Sequence, residues 1–139
     1  MSYVERFSIS MNGDLLKKFD ELIARKGYPS RSEAIRDLVR HALVEERWAR
    51  PNEKVAATVT LVYDHHTHEL AERLAEIQHH HGSLVVASTH IHLDNDNCLE
   101  VAILRGPSGR VRRLAELLVA QKGVKHGRTI YTTEGRDLW

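Results

Sequence analysis

The sequence contains a single cysteine, Cys98, and no long apolar run. One cysteine excludes an internal disulfide, so the thiol is expected to be free, as in a reducing cytoplasm. No apolar stretch approaches the roughly 18 residues of a membrane-spanning helix, and residues 1–6 lack the core of a signal peptide. The formal net charge is +1, which argues against a basic or an acidic tail. These absences together predict a soluble cytoplasmic protein that does not associate with a membrane.

Histidine is abundant, with ten in the chain, and several of them cluster near the cysteine. The cluster consists of His79, His80, His81, His90, His92 and Cys98. Imidazole and thiolate are the donors that soft and borderline transition metals prefer over carboxylates. This stretch therefore predicts a metal site.

Two predicted strands, residues 83–93 and a second strand after the turn at 94–97, bring part of this cluster together. For their apolar faces to coincide, His92 must lie opposite Cys98, and His90 opposite Glu100. Opposed side chains are about 4.5 to 5.5 Å apart at Cβ, so they can share one ion bound at about 2.0 to 2.3 Å from each donor. The hairpin supplies three donors at most, and the fourth must come from elsewhere, plausibly across a subunit interface. The alternative is a polar strand face beside a small buried cysteine.

Residues 1–50 predict a strand followed by two helices. Asn12 is suited to cap the first helix, and Gly27 is suited to end it. Ser30 and Glu33 form a capping-box pattern that opens the second helix. Before the helices, residues 6–11 alternate between polar and apolar side chains, as in one short strand.

The strand at residues 6–11 has no partner in its own half, so it cannot satisfy its backbone alone. Pairing with a second copy would make an antiparallel ribbon that presents Arg6, Ser8 and Ser10 outward, and such a ribbon fits the major groove of DNA. The alternative is that these three side chains are simply the exposed face of a strand.

The order of these elements resembles the ribbon-helix-helix family of bacterial repressors. The resemblance rests on the alternating strand at 6–11, the turn at 26–30 and the residues 31–37 that open the second helix. It implies a dimeric DNA-binding domain, and the free amides of the second helix N-terminus would suit a DNA phosphate.

Residues 51–139 predict a second domain, reached through a polar linker at 48–54 that contains a helix-stopping proline. The predicted elements are a strand at 55–63, a helix at 67–81, the two hairpin strands, a helix from Ser108 to Gly123 and a strand at 124–133. This β-α-β-β-α-β order is ferredoxin-like, so the fold class is α+β. Four strands under two helices leave one sheet face uncovered, and we expect His90, His92 and Cys98 on that face.

Both halves together resemble the nickel-responsive transcriptional regulator (NikR) family over essentially the whole chain. The resemblance rests on residues 31–37, 78–81, 90–92, 98–100 and 123–127. It implies a homotetramer, a dimer of dimers, in which two ribbon-helix-helix dimers flank a core of ACT-like domains. The implied function is to bind nickel and then a palindromic operator in double-stranded DNA, which represses nickel-uptake genes.

The resemblance also implies one Ni(II) per subunit, bound by His90, His92 and Cys98 together with His79 of a neighbouring subunit. Four such donors in a plane suit Ni(II) or Cu(II), whereas Zn(II) favours a tetrahedron. Because four protein ligands leave no open position for a catalytic water, we do not expect an enzyme.

Other residues near this site are predicted to take part without binding the nickel ion directly. Glu100 is interpreted as an acceptor that orients a coordinating imidazole or a backbone group rather than as a ligand. The resemblance places Tyr63 and His65 near the site. His65, His66 and His68 could form weaker metal sites or simply lie in a solvated helix start, and whether His80 and His81 bind metal stays open.

Glu33 and Asp37 lie four residues apart on one helical face, where like charges repel unless a cation or basic partner intervenes. The resemblance suggests a hard cation such as potassium there. A plain surface pair is the alternative.

Two further functions stay open beside the nickel regulator. One is a ribbon-helix-helix regulator whose second domain senses another metal, such as copper, cobalt or zinc, or a small molecule such as an amino acid. The other is an antitoxin-like protein, although an antitoxin usually carries a disordered tail in place of a folded second half.

Overall fold

The computed structural model describes residues 3–139. Its helices are α1 (Gly13–Arg25), α2 (Arg31–Trp48), α3 (Leu70–His80) and α4 (Ser108–Val119), and its strands are β1 (Lys54–Asp64), β2 (Val85–His92), β3 (Asn97–Pro107) and β4 (Val124–Thr132). The chain is α+β, and the predicted β-α-β-β-α-β order of the second half is confirmed. None of the helices among these residues is long and apolar enough to cross a membrane.

The contacts divide the chain into two compact units, one up to His41 and one from Ala42 to Trp139. The division falls within α2, earlier than the predicted boundary between residues 50 and 51. The end of α2 belongs to the second unit, since Val44 packs against the core of that unit and Trp48 is buried in it, where the Trp48 indole N–H donates to the Thr132 carbonyl at 2.8 Å. The boundary at residue 50 stays a prediction.

The helix ends of the first unit have the chemistry expected from the sequence. The Asn12 side chain accepts hydrogen bonds from the backbone N–H groups of Asp14 and Leu15. Gly27 follows α1 with φ of 78°, a left-handed conformation that glycine adopts without strain. Ser30 Oγ accepts the Glu33 N–H at 3.1 Å. These local contacts explain why both helices begin where the sequence predicts.

Residues 6–11 are not part of a strand in the single chain; among residues 3–139 the first strand is β1. Phe7 is 77% exposed and Ile9 is 60% exposed. Near this segment Met11 and Phe19 help to line an open apolar groove of about 450 Å³. The predicted strand is therefore not formed here, because a strand needs a partner for its backbone and one chain offers none.

The second unit is a four-stranded antiparallel sheet in the order β2-β3-β1-β4. One face of the central strand β1 is buried along its whole length, as the alternating burial pattern shows. The helices cover this face with Leu70 and Leu74 of α3 and with Val111, Leu114, Ala115 and Leu118 of α4. The core of the second unit thus lies between the sheet and these two helices.

The predicted register of the hairpin is confirmed, since His92 pairs with Cys98 and His90 pairs with Glu100. The prediction that these histidines and Cys98 lie on the uncovered face is wrong. Cys98 and Glu100 are buried on the helix-covered side, and Ile103 is exposed on the other face. Both faces of β3 carry apolar side chains, so alternation alone did not indicate which face the helices cover.

Candidate metal centre

The turn that joins β2 and β3 is capped by a side chain. Asp94 Oδ1 accepts the backbone N–H of Asp96 at 2.8 Å and of Asn97 at 2.7 Å. The Asn97 side-chain amide, followed by these backbone N–H groups, lowers the pKa of Asp94 to about 2. The Leu93 N–H also donates to the Asn97 carbonyl at 2.8 Å. These contacts close the hairpin and fix the register that brings His92 opposite Cys98.

Three donor side chains meet beside the turn of this hairpin: His65 after β1, His92 at the end of β2 and Cys98 at the start of β3. Cys98 Sγ lies 3.3 Å from His65 Nδ1 and 4.0 Å from His92 Nδ1. All three donor atoms lie within 4.8 Å of one another. Within residues 3–139 this is the one group of three such side chains with metal-ligand spacing.

His90 and His79 lie outside this group. The His90 ring is 5.5 Å from the His92 ring and 6.0 Å from the Tyr63 ring, measured between centroids. His79 is in the last turn of α3, with its ring 6.3 Å from that of His80. Of the four predicted ligands, a single chain thus brings His92 and Cys98 together. The assignment of His79 and His90 stays a prediction.

Burial raises the pKa of the Cys98 thiol, and nearby carboxylates including those of Asp64 and Glu100 add to that effect. A hydrogen bond from the backbone N–H of His65 opposes the shift. Burial therefore favours the protonated thiol, and a bound metal ion would take the place of its proton.

Glu100 holds its carboxylate within the covered face of the sheet. Tyr63 Oη donates to Glu100 Oε1 at 3.0 Å, and Gln78 Nε2 donates to Glu100 Oε2 at 2.8 Å. Burial, and then the Glu100 charge, raise the pKa of Tyr63. Both carboxylate oxygens are thus engaged, so Glu100 acts as an acceptor that ties α3 to β1 and β3. The sequence interpretation missed Gln78; its position directly before His79 was the available signal.

The remaining histidines of the region lie beside polar groups, and all of them except the partly buried His81 are exposed. The His66 ring lies 3.6 Å from the Asp96 carboxylate, and the His80 ring lies 3.5 Å from that of Glu76. His68 is close to its neighbour Glu69, and His81 Nδ1 lies 2.8 Å from the Ile77 carbonyl. His65 therefore differs from these four histidines, because it lies beside Cys98. Secondary metal sites at His66, His68, His80 and His81 stay open.

The carboxylates of Glu33 and Asp37 have partners within the first unit. Glu33 accepts hydrogen bonds from Arg36 at 2.7 Å and from Arg40 at 3.2 Å, and these lower the pKa of its carboxyl. The Tyr28 hydroxyl donates to Asp37 and lowers the pKa of that carboxyl. These groups offset the repulsion between the two acids, so a potassium ion would have to compete with them.

The three predicted DNA-contacting residues, Arg6, Ser8 and Ser10, are exposed at alternating positions of the segment before α1. Their side chains are accessible to solvent, and pairing with the same segment of a second copy would align them for a contact with DNA.

Comparison with known proteins yields matches along nearly the whole chain. The family "Ribbon-helix-helix protein, copG family" matches residues 5–46, and the family "NikR C terminal nickel binding domain" matches residues 56–132. A solved structure of an uncharacterized protein from Thermotoga maritima covers 57% of this chain and 98% of that chain, with a TM-score of 0.50 and 15% identity. This last likeness concerns the fold alone.

Several curated relatives are similar over almost their full length. A protein of Desulfovibrio desulfuricans is 54% identical and covers 99% of both chains, and one of Nitratidesulfovibrio vulgaris (Miyazaki F) is 51% identical over 96% of both. A protein of Solibacter usitatus is 50% identical over 99% of both chains. Each carries the provisional name nickel-responsive regulator. The chain therefore belongs to the nickel-responsive regulator (NikR) family, which consists of ribbon-helix-helix transcription regulators and not of enzymes.

Proposed function

We propose that this protein is a nickel-dependent repressor, which binds one Ni(II) per subunit and then a palindromic operator that controls nickel-uptake genes. The observation that carries the proposal is the hairpin register, in which His92 lies opposite Cys98 with 4.0 Å between imidazole nitrogen and sulfur. Imidazole and thiolate together suit nickel far better than they suit magnesium or calcium. Family membership supplies the second support.

The proposed nickel ligands are His90, His92 and Cys98, with His79 of a neighbouring subunit. His90 and His92 extend from the same face of β2, and their ring centroids are 5.5 Å apart. In this ligand set the His65 ring has to leave the Cys98 sulfur, which it contacts at 3.3 Å in the single chain. Replacement of the His65 contact by His79 of a neighbouring subunit would couple nickel binding to subunit assembly.

The hydrogen bonds of Glu100 hold the part of α3 that precedes His79. Gln78 is bonded to Glu100 at 2.8 Å and directly precedes His79, so the bond fixes the end of α3 that carries the proposed fourth ligand. Partners that orient a ligand from outside commonly change metal affinity by about 10 to 100 fold when they are lost. Copper binds such a donor set at least as tightly as nickel by the affinity order. Affinity alone therefore does not select nickel over copper. We attribute the selectivity for nickel to the coordination geometry that triggers operator binding.

We further propose a homotetramer, because both units expose apolar surface that needs a partner. The uncovered sheet face presents Ile91, Ile103 and Ile130, which are 48%, 41% and 64% exposed. A patch of this kind is typical of an association surface. In the first unit, the unpaired segment at residues 6–11 and the groove beside it would be completed by a second copy in a two-stranded ribbon.

The paired ribbons would insert Arg6, Ser8 and Ser10 into the major groove, where arginine pairs with guanine through two hydrogen bonds. Two dimers on one tetramer would read half-sites on the same face of the duplex. A potassium ion at Glu33 and Asp37 is compatible with this proposal only if the cation displaces their present partners. Since the operator is chromosomal DNA, we place this activity in the cytoplasm.

The experiment that tests the proposal is operator binding with and without stoichiometric Ni(II), at a stated salt concentration because salt governs DNA affinity. Nickel should tighten operator binding by the parent protein, whereas His90→Ala should retain only weak nonspecific binding. His80→Ala is the control, since the His80 ring is exposed beside Glu76, and it should respond like the parent. Nickel-independent operator binding by the parent, or a normal response by His90→Ala, would contradict the proposal.

A further inference from the structure

We propose that His65, His92 and Cys98 form a zinc site contained within one subunit, as an alternative to the nickel ligand set with which it shares two residues. It differs from the nickel ligand set in using His65 instead of His79 and His90, so it needs no neighbouring subunit. This inference does not rest on the proposed function, because the three donors meet in the single chain whether or not nickel is the regulatory metal.

The donor spacing suits one tetrahedral ion. Zinc bonds of about 2.0 to 2.1 Å to nitrogen and about 2.3 Å to sulfur place the two donors roughly 3.6 Å apart in a tetrahedron. The observed distances from Cys98 Sγ are 3.3 Å to His65 Nδ1 and 4.0 Å to His92 Nδ1, one on each side of that value. Small rotations of the two rings would bring both nitrogens to that distance from the sulfur, and all three donor atoms already lie within 4.8 Å of one another.

The backbone positions of the three donors are held before any metal binds. The His65 N–H donates to the Asp96 carbonyl at 3.0 Å, which ties the end of β1 to the hairpin turn. His92 and Cys98 are paired in the sheet register, and the Asp94 side chain caps the turn between them. A site whose ligands are positioned by such contacts loses little freedom when the metal enters.

The environment of the donors leaves room for one further ligand. Cys98 is fully buried, His65 is partly exposed and His92 is exposed. An ion bound to all three would be enclosed on the sulfur side and open on the imidazole side, where water can complete the tetrahedron. Three protein ligands and one water make up an open four-coordinate zinc site, and the thiolate disfavours magnesium and calcium. Since His92 and Cys98 belong to both sets, zinc and nickel would exclude each other from the same subunit.

The test measures zinc and nickel affinities of the full-length protein by competition with a chromophoric chelator. His65→Gln should weaken zinc binding by more than about tenfold, since even changes outside the ligand shell cost about 10 to 100 fold, and it should weaken zinc more than nickel. His79→Gln should show the opposite preference and weaken nickel more than zinc. His126→Gln, which removes an exposed histidine of β4, is the control and should bind zinc like the parent.

Cobalt(II) gives a second readout, independent of affinity. The parent with Co(II) should show the intense visible bands of a tetrahedral site and a thiolate charge-transfer band, and His65→Gln should lose the tetrahedral bands. The inference is wrong if His65→Gln binds zinc like the parent, or if His79→Gln weakens zinc as much as nickel. A parent that binds zinc through His65 but binds no nickel supports this inference and contradicts the proposed function, so the two failures are distinguishable.

Discussion

Replacing Gln78 with methionine should reveal how much the buried carboxylate of Glu100 depends on its two donors. Methionine preserves the approximate size and the helix propensity of glutamine but removes the Nε2 donor. The lost hydrogen bond is 2.8 Å long and ends on Glu100, which is 7% exposed. After the change, the Tyr63 hydroxyl at 3.0 Å is the one side-chain donor to that carboxylate that remains among residues 3–139.

The magnitude follows from the burial of this acceptor. A hydrogen bond to a charged group contributes about 1.5 to 3 kcal/mol, and a buried oxygen left without a donor pays its desolvation cost. We therefore expect Gln78→Met to lower the free energy of unfolding by about 1.5 to 3 kcal/mol. Because Gln78 directly precedes His79, nickel affinity should also fall.

Urea unfolding at a fixed protein concentration measures the stability change, since association shifts the apparent stability of an oligomer. The matched control is Gln121→Met, because Gln121 donates a bond of 3.0 Å to the Leu117 carbonyl at an exposed helix end. That control should change stability by less than about 0.5 kcal/mol. If the two variants are equally stable and bind nickel equally well, the hydrogen bonds of Glu100 do not support the site in the way we infer.

Three further predictions follow from other parts of the chain. Arg6→Ala should lower specific operator binding by about 1 to 3 kcal/mol and relax the base preference; a gel-shift comparison of operator and mutated operator checks this, and unchanged binding would exclude Arg6 from base contacts. Ile130→Asp should leave the circular dichroism of the fold intact but reduce the assembly size in sedimentation velocity, because Ile130 is 64% exposed on the uncovered sheet face; an unchanged assembly would remove that face from the interface. Asp94 has a pKa lowered from 3.8 to about 2, so its carboxylate stabilises the folded state above pH 3.8 and loses that contribution as the pH falls toward 2. Urea unfolding across this pH window should therefore show a smaller loss for Asp94→Asn than for the parent, and equal losses would refute the role of the turn.

The hairpin could be predicted from sequence because its determinants are local. The alternation of both strands and the turn residues between them left one register in which the apolar faces agree, and His92 does pair with Cys98. The caps at Asn12 and Ser30 were equally local, since each side chain bonds to backbone within three residues. Short-range chemistry of this kind is visible in the order of the residues.

The partners of the buried and metal-binding side chains could not be predicted from the order of the residues. His65 reaches Cys98 from 33 positions away, and Tyr63 reaches Glu100 from 37 positions away. Both contacts exist because β1 lies next to β3 in the sheet, an adjacency that no local pattern specifies. The sequence placed His65 and Tyr63 near the site only through the family resemblance.

By itself the sequence determined the order of the elements from α1 onward, the helix caps and the hairpin register, because backbone hydrogen bonding and side-chain periodicity act over a few residues. It could not decide which face of the sheet the helices cover, since Cys98 and Ile103 stand on opposite faces of a strand that is apolar on both. Only the tertiary structure decided that Cys98 is buried beneath the helices while Ile103 stays exposed. The physical reason is that a period of two defines two faces, and the packing of α3 and α4 against β1 selects one of them as the core.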